Sequence, residues 1–176
     1  MVTLRGVFVQ SMKEIAEAFG KERVVKLQDF FEKEVYEHLF KEMQKGKKVW
    51  VPDMHRYELL SVRLSAFDAS FRKWLEGVLG KKVKDWEISV RRFGAGDYTV
   101  VHDSVIEGGI RFFLFVSGEW DSAFGGSVVL RGERPVIFPV EGNCFVLIDS
   151  EERGFVQYVN HHVGKEKFVL VEGIVV

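Results

Sequence analysis

Between Trp86 and Val175 the chain breaks into short apolar runs separated by Gly, Asp and Glu turns, and this half limits the fold more than any other stretch. Ile88 and Val90 alternate with polar residues, and candidate strands follow at 87–93, 98–104, 110–117, 126–131, 135–140, 143–149, 154–160 and 166–175. No helical pattern lies between them. Parallel neighbours need a long crossover, usually a helix, whereas antiparallel neighbours need only a turn. The strands are therefore expected to form an antiparallel sandwich or barrel rather than a doubly wound parallel sheet.

The first half reads differently. Ser11-Met-Lys-Glu14 has capping-box spacing, Ile15, Ala18 and Phe19 share one face, and Gly20 stands where a helix stop belongs. Val24–Leu27 reads as a strand. Phe31, Val35, Leu39 and Met43 recur every four residues, which predicts a helix ending at Lys45-Gly46. The short apolar run Val49-Trp-Val51 then leads into a polar loop, 52–56. Phe67, Phe71, Trp74, Leu75 and Val78 predict a third helix stopped by Gly80, and such an aromatic stripe is core-forming. Helices first and strands afterwards give an α+β protein with its helices packed on one face of the sheet structure.

With 176 residues, 47% of them apolar, the chain can bury one substantial core. A single domain over 1–176 is expected, with 1–85 as helical support and 86–176 as the β core. The formal net charge of −1, from 25 basic and 26 acidic residues spread along the chain, gives no field to attract nucleic acid or a lipid surface. Neither nucleic acid nor a membrane is an expected partner. The lone Cys144 lies in an apolar run without a disulfide partner, which suits a reducing compartment, and no leader or spanning segment is visible. A cytoplasmic location is expected. Asn and Gln are scarce while Lys and Glu are plentiful, a balance that predicts heat resistance.

Several site chemistries are missing: the Gly-x-Ser-x-Gly elbow, the phosphate loop, the dinucleotide glycine fingerprint and paired Cys-x-x-Cys. Histidine remains. His38 sits beside a helical stripe and His55 in a polar loop, where neither has an obvious task. His102 ends the strand that follows the glycine turn Gly94-Ala-Gly96, a useful place for a metal ligand or base. Strand alternation puts Ser104 on the same face and Asp103 on the other. His161 and His162 fall in a polar run, Asn160-His-His, that reads as a solvated turn.

From Trp86 onward, Gly96-Asp97 stands before His102, Arg111 leads the apolar run 112–116, and Trp120 is spaced from Gly125-Gly126 and Leu130. In these motifs the chain resembles the prolyl 4-hydroxylase-like branch of the iron(II)- and 2-oxoglutarate-dependent dioxygenases. Pro139-Val-Glu-Gly142 before Phe145–Ile148 adds to the resemblance, as do the upstream strand at 24–27 and the helix at 66–79. It implies a double-stranded β-helix, or jelly roll, with the N-terminal helices on one face.

The resemblance also names what an active member needs: a His-x-Asp pair and a later His for iron(II), and a basic residue about ten positions further on for the far carboxylate of 2-oxoglutarate. His102 matches the first ligand. Ser104 stands in place of the Asp, and the second His falls on Gln157, or on Val156 with a one-residue shift. Lys167 matches the cosubstrate-binding lysine, and Phe93 replaces a tyrosine that often helps it. One imidazole, a hydroxyl and an amide offer no negative charge to a divalent metal. The expectation is an impaired iron site, with a small-acid pocket at Lys167 or a role in binding a protein partner. The alternative is an active hydroxylase using iron(II), 2-oxoglutarate, His102, an Asp103 re-aimed by a bulge, and His161 or His162. Against it, His161 lies four residues past Gln157, roughly 13 Å along an extended strand. A cupin, the other β-helix family considered, would need its second histidine at Ser104 as well.

Overall fold

The computed structural model describes residues 12–45, 47–49, 56–62, 64–100, 109–149 and 153–175. Among these described residues three α-helices, α1 (Met12–Glu22), α2 (Lys33–Gln44) and α3 (Ala69–Leu79), accompany ten strands. In chain order the strands are β1 (Val24–Leu27), β2 (Lys47–Val49), β3 (Glu58–Ser61), β4 (Trp86–Phe93) and β5 (Ile110–Val116). They continue as β6 (Val128–Arg131), β7 (Val136–Phe138), β8 (Cys144–Asp149), β9 (Arg153–Val156) and β10 (Phe168–Val175). All pairings are antiparallel, as expected. The larger sheet runs β1-β8-β5-β10-β4-β3-β2 and the smaller β7-β6-β9.

Strand alternation divides the interior in two. In β5, Ile110, Phe112, Leu114 and Val116 face the helices, while Phe113 and Phe115 face the small sheet. In β10, Val169, Val171 and Val175 face the helices, and Phe168 and Leu170 face inward between the sheets. The helical layer is aromatic: Phe30, Phe71 and Trp74 gather around Phe145, with Phe30 and Phe145 stacked at 4.3 Å. Gly173 lets β10 lie against this layer, because a Cβ there would overlap the Phe112 ring.

The helix ends have local causes. Asp68 caps α3 by accepting from the amides of Ser70 and Phe71, and Gly80 ends it at φ 64°, as its sequence predicts. Gly20 does not end α1, which continues to Glu22 and turns at Arg23, φ 59°. The Arg23 amide still reaches the Phe19 carbonyl, so the turn closes one residue after the helix without glycine's help. The run preceding α2 is held by Asn143, buried and at φ 58°. Its Nδ2 donates to the Phe31 carbonyl (2.7 Å), and its Oδ1 accepts from the Phe31 amide (2.9 Å). Phe30-Phe31 therefore precede α2 instead of opening it. Two short strands, β2 and β3, extend the sheet where the sequence shows only a brief apolar run and a polar loop.

Candidate functional site

The space between the sheets has two ends of different character. At one end Phe93 and Phe168, paired across β4 and β10, stack with ring centres 5.1 Å apart and planes 13° from parallel. Both are fully buried, and Trp120 meets Phe168 edge-on at 4.9 Å. The Gly125-Gly126 pair of the sequence motif explains itself here. A Cβ on Gly126 would fall 2.6 Å from Phe168 Cε1, and one on Gly125 would strike the Tyr158 carbonyl. Both glycines have positive φ, so the turn after Trp120 closes directly onto the inner core.

Lys167 is one residue before Phe168, and alternation sends it to the opposite face. Its ammonium lies 3.0 Å from Glu58 Oε1, and Arg92 binds the other oxygen of the same carboxylate. The side chain is 42% exposed and runs past Gly94. The sheet face that carries Lys167 is the one shared by Arg92 and Val169, away from the inner core.

Around the second-ligand position the inward residue is Val156. It is buried in the inner core, as is Val159 three residues later, so the chain changes phase between them. Gln157 lies in this shift, half-buried, with its amide donating to the Ser127 carbonyl. His161 and His162 belong to a short 3-10 turn, 161–163, that Asn160 caps by accepting from the His162 amide. The solvated turn expected for this pair is what forms. His161 Nε2 is 2.8 Å from the Tyr158 hydroxyl, and both its ring and the Arg56 guanidinium lie close to Gly96. His38 is exposed on α2, 3.4 Å from Glu42. His55, His102, Asp103 and Ser104 lie outside the described residues.

The other end holds charge. Arg91 of β4, Arg111 of β5 and Glu172 of β10 line a cavity of about 70 Å³ with Thr99 and, across it, Leu130 and Val156. Arg91 Nη2 donates to Glu172 Oε2 at 2.9 Å, and its Nε donates to Ser89 Oγ at 3.1 Å. The guanidinium also lies over the Tyr57 ring. Arg111 is 5% exposed, and Thr99 is buried, its hydroxyl accepting from the Val156 amide at 2.8 Å. For Arg91, Arg111 and Glu172 a signal existed in the sequence: each is a charge inside a strand. Glu172 shares its parity with Phe168, Leu170 and Ile174, so it had to face the inner core.

Among the described residues, which do not include His102, Asp103 or Ser104, no three His, Cys, Asp or Glu side chains gather as a metal would require. Of the two positions aligned with a second ligand, Val156 is buried in the inner core and Gln157 is half-buried, and Phe93, in the place of the family's tyrosine, stacks on Phe168. Half-buried Asp97, beside Gly96, accepts from the Gly94 amide and faces Arg56. Burial raises its pKa above the ordinary carboxylate value, and the Gly94 bond and Arg56 oppose the rise.

No protein-family model and no curated protein sequence matches the chain. Solved structures do. An oxidoreductase of the 2OG-Fe(II) oxygenase family from Burkholderia pseudomallei is 12% identical, with a TM-score of 0.70 over 94% of this chain and 90% of that one. A Pseudomonas putida prolyl-4-hydroxylase is 10% identical, with a TM-score of 0.73 over 94% and 98%. A viral collagen prolyl hydroxylase from Paramecium Bursaria Chlorella virus-1 is 13% identical, at 0.60 over 89% and 97%. At such identities the likeness speaks for architecture. Three helices against antiparallel sheets, matched over nearly the whole of these structures, give this chain the double-stranded β-helix fold of the 2OG-Fe(II) oxygenases and prolyl hydroxylases.

Proposed function

We propose that this chain keeps the oxygenase fold without iron(II)- and 2-oxoglutarate-dependent hydroxylation, and that it acts by binding a small acid between its sheets. The observation that carries the reading is the Phe93–Phe168 stack. Two fully buried rings occupy the end where a cosubstrate would need a hydroxyl and a cation, and a carboxylate buried against them would go unpaired. The Lys167–Glu58 pairing supports it, because that ammonium is already matched on the outer face. The charged end offers the Arg91 guanidinium in their place, and arginine's planar fork suits carboxylates.

The test is turnover. Protein supplied with iron(II), ascorbate, oxygen and 2-oxoglutarate is expected to form no succinate above a protein-free control. Succinate formation that disappears in His102→Ala would overturn the proposal in favour of an active hydroxylase built on His102, Asp103 and His161 or His162.

A further inference from the structure

We propose that the cavity between the sheets binds a short 2-hydroxycarboxylic acid of the size of glycolate or lactate. This deepens the reading above and rests on it.

The donors come first. A guanidinium carries five N–H groups. Arg91 uses one on Ser89 and one on Glu172, and the remaining ones make no bond within the described residues. Its side chain and that of Glu172 are 15% and 16% exposed, and both line the cavity. Thr99 accepts from the Val156 amide through Oγ1, which leaves its own O–H to donate. The wall also holds one acceptor, because Glu172 meets Arg91 through Oε2 and has Oε1 left over. Buried polar groups of this kind are satisfied by solvent or by a ligand. Their complement is a carboxylate, for the Arg91 fork and Thr99, next to a hydroxyl that donates to Glu172.

The size sets the chain length. A cavity of about 70 Å³, at roughly 10–15 Å³ for each water position, holds about five or six non-hydrogen atoms. That is the size of glycolate or lactate, and 2-oxoglutarate has roughly twice as many. Val128, Leu130 and Ile174 in the same wall are apolar and accept a methyl group.

The experiment is calorimetric titration of the full chain with glycolate, lactate, acetate and 2-oxoglutarate. Saturable binding of glycolate or lactate is expected, tighter than acetate and tighter than 2-oxoglutarate. In the double variant Arg91→Met/Glu172→Met, which replaces the ion pair by apolar groups of similar length, affinity should fall at least about tenfold, the loss of one charge-assisted hydrogen bond. Arg91→Lys keeps the charge without the fork, and it should also weaken binding should the double variant fail to fold. Lys167→Ala should bind as the wild type does. The proposal is overturned by no saturable binding of any short acid to folded wild type, by unchanged affinity in both Arg91 variants, or by loss of binding in Lys167→Ala. None of these outcomes produces succinate, so the failure of this site and the failure of the reading it rests on are separately visible.

Discussion

Phe168 and Lys167 are neighbours in sequence, and the account gives them opposite fates. Phe168→Ala removes a fully buried ring that stacks on Phe93 and meets Trp120 edge-on. Truncating a core phenylalanine costs roughly 3–5 kcal/mol, and losing two aromatic pairs, each worth about 0.5–1.5 kcal/mol, puts this site at the upper end. Lys167→Ala removes a side chain 42% exposed, held by one ion pair to Glu58 that Arg92 can still balance. Exposed pairs contribute under about 1 kcal/mol. Urea unfolding followed by tryptophan fluorescence measures both, and comparison at unchanged m isolates stability from changes in the unfolded chain. The expected difference between the two variants is about 3 kcal/mol or more. Equal losses, or a Phe168→Ala loss below about 1 kcal/mol, would refute the inward placement of Phe168 and with it the filled cosubstrate end.

Three further outcomes are expected. Asn143→Ala leaves the Phe31 amide and carbonyl unsatisfied in a buried setting and should cost roughly 2–4 kcal/mol in the same assay. Cys144 is fully buried and its thiol is pushed up to about 11, so iodoacetamide at pH 8 should label it only as fast as the protein unfolds; rapid labelling of native protein would contradict its placement. Because Asp97 has a raised carboxyl pKa in the fold, its contribution is full below the unfolded value of 3.8 and is lost as pH rises through the higher folded value. The stability of Asp97→Asn relative to wild type should therefore increase over that window, and a flat difference would remove the argument from burial.

The sheet half of the fold was legible because alternation in antiparallel strands is a local property. Phe112 to Val116, Cys144 to Ile148 and Phe168 to Leu170 sort onto two faces by parity alone, and the observed strands keep those ranges to within a few residues. What could not be read was where neighbouring contacts override local signals. Gly20 lost its stopping role because α1 continues two residues further, to Glu22, and β2 and β3 extend the sheet from the edge that β4 offers. The candidate site was legible as a position more than as chemistry. Motif spacing located Phe93 and Lys167, but spacing carries no parity. Alternation in β9 leaves Val156 in the inner row and Gln157 out of it, and the phase change that follows brings Val159 inward. Arg91, Arg111 and Glu172 were readable by alternation, and their convergence required the two sheets to be placed face to face.

The proposal at stake is that this chain holds no iron centre fed by 2-oxoglutarate. Metal analysis after refolding with iron(II) or manganese(II) and excess 2-oxoglutarate, followed by gel filtration, tests it most directly. The account predicts far less than one metal per chain, with no difference between wild type and His102→Ala. One metal per chain in the wild type, lost in His102→Ala, would contradict it.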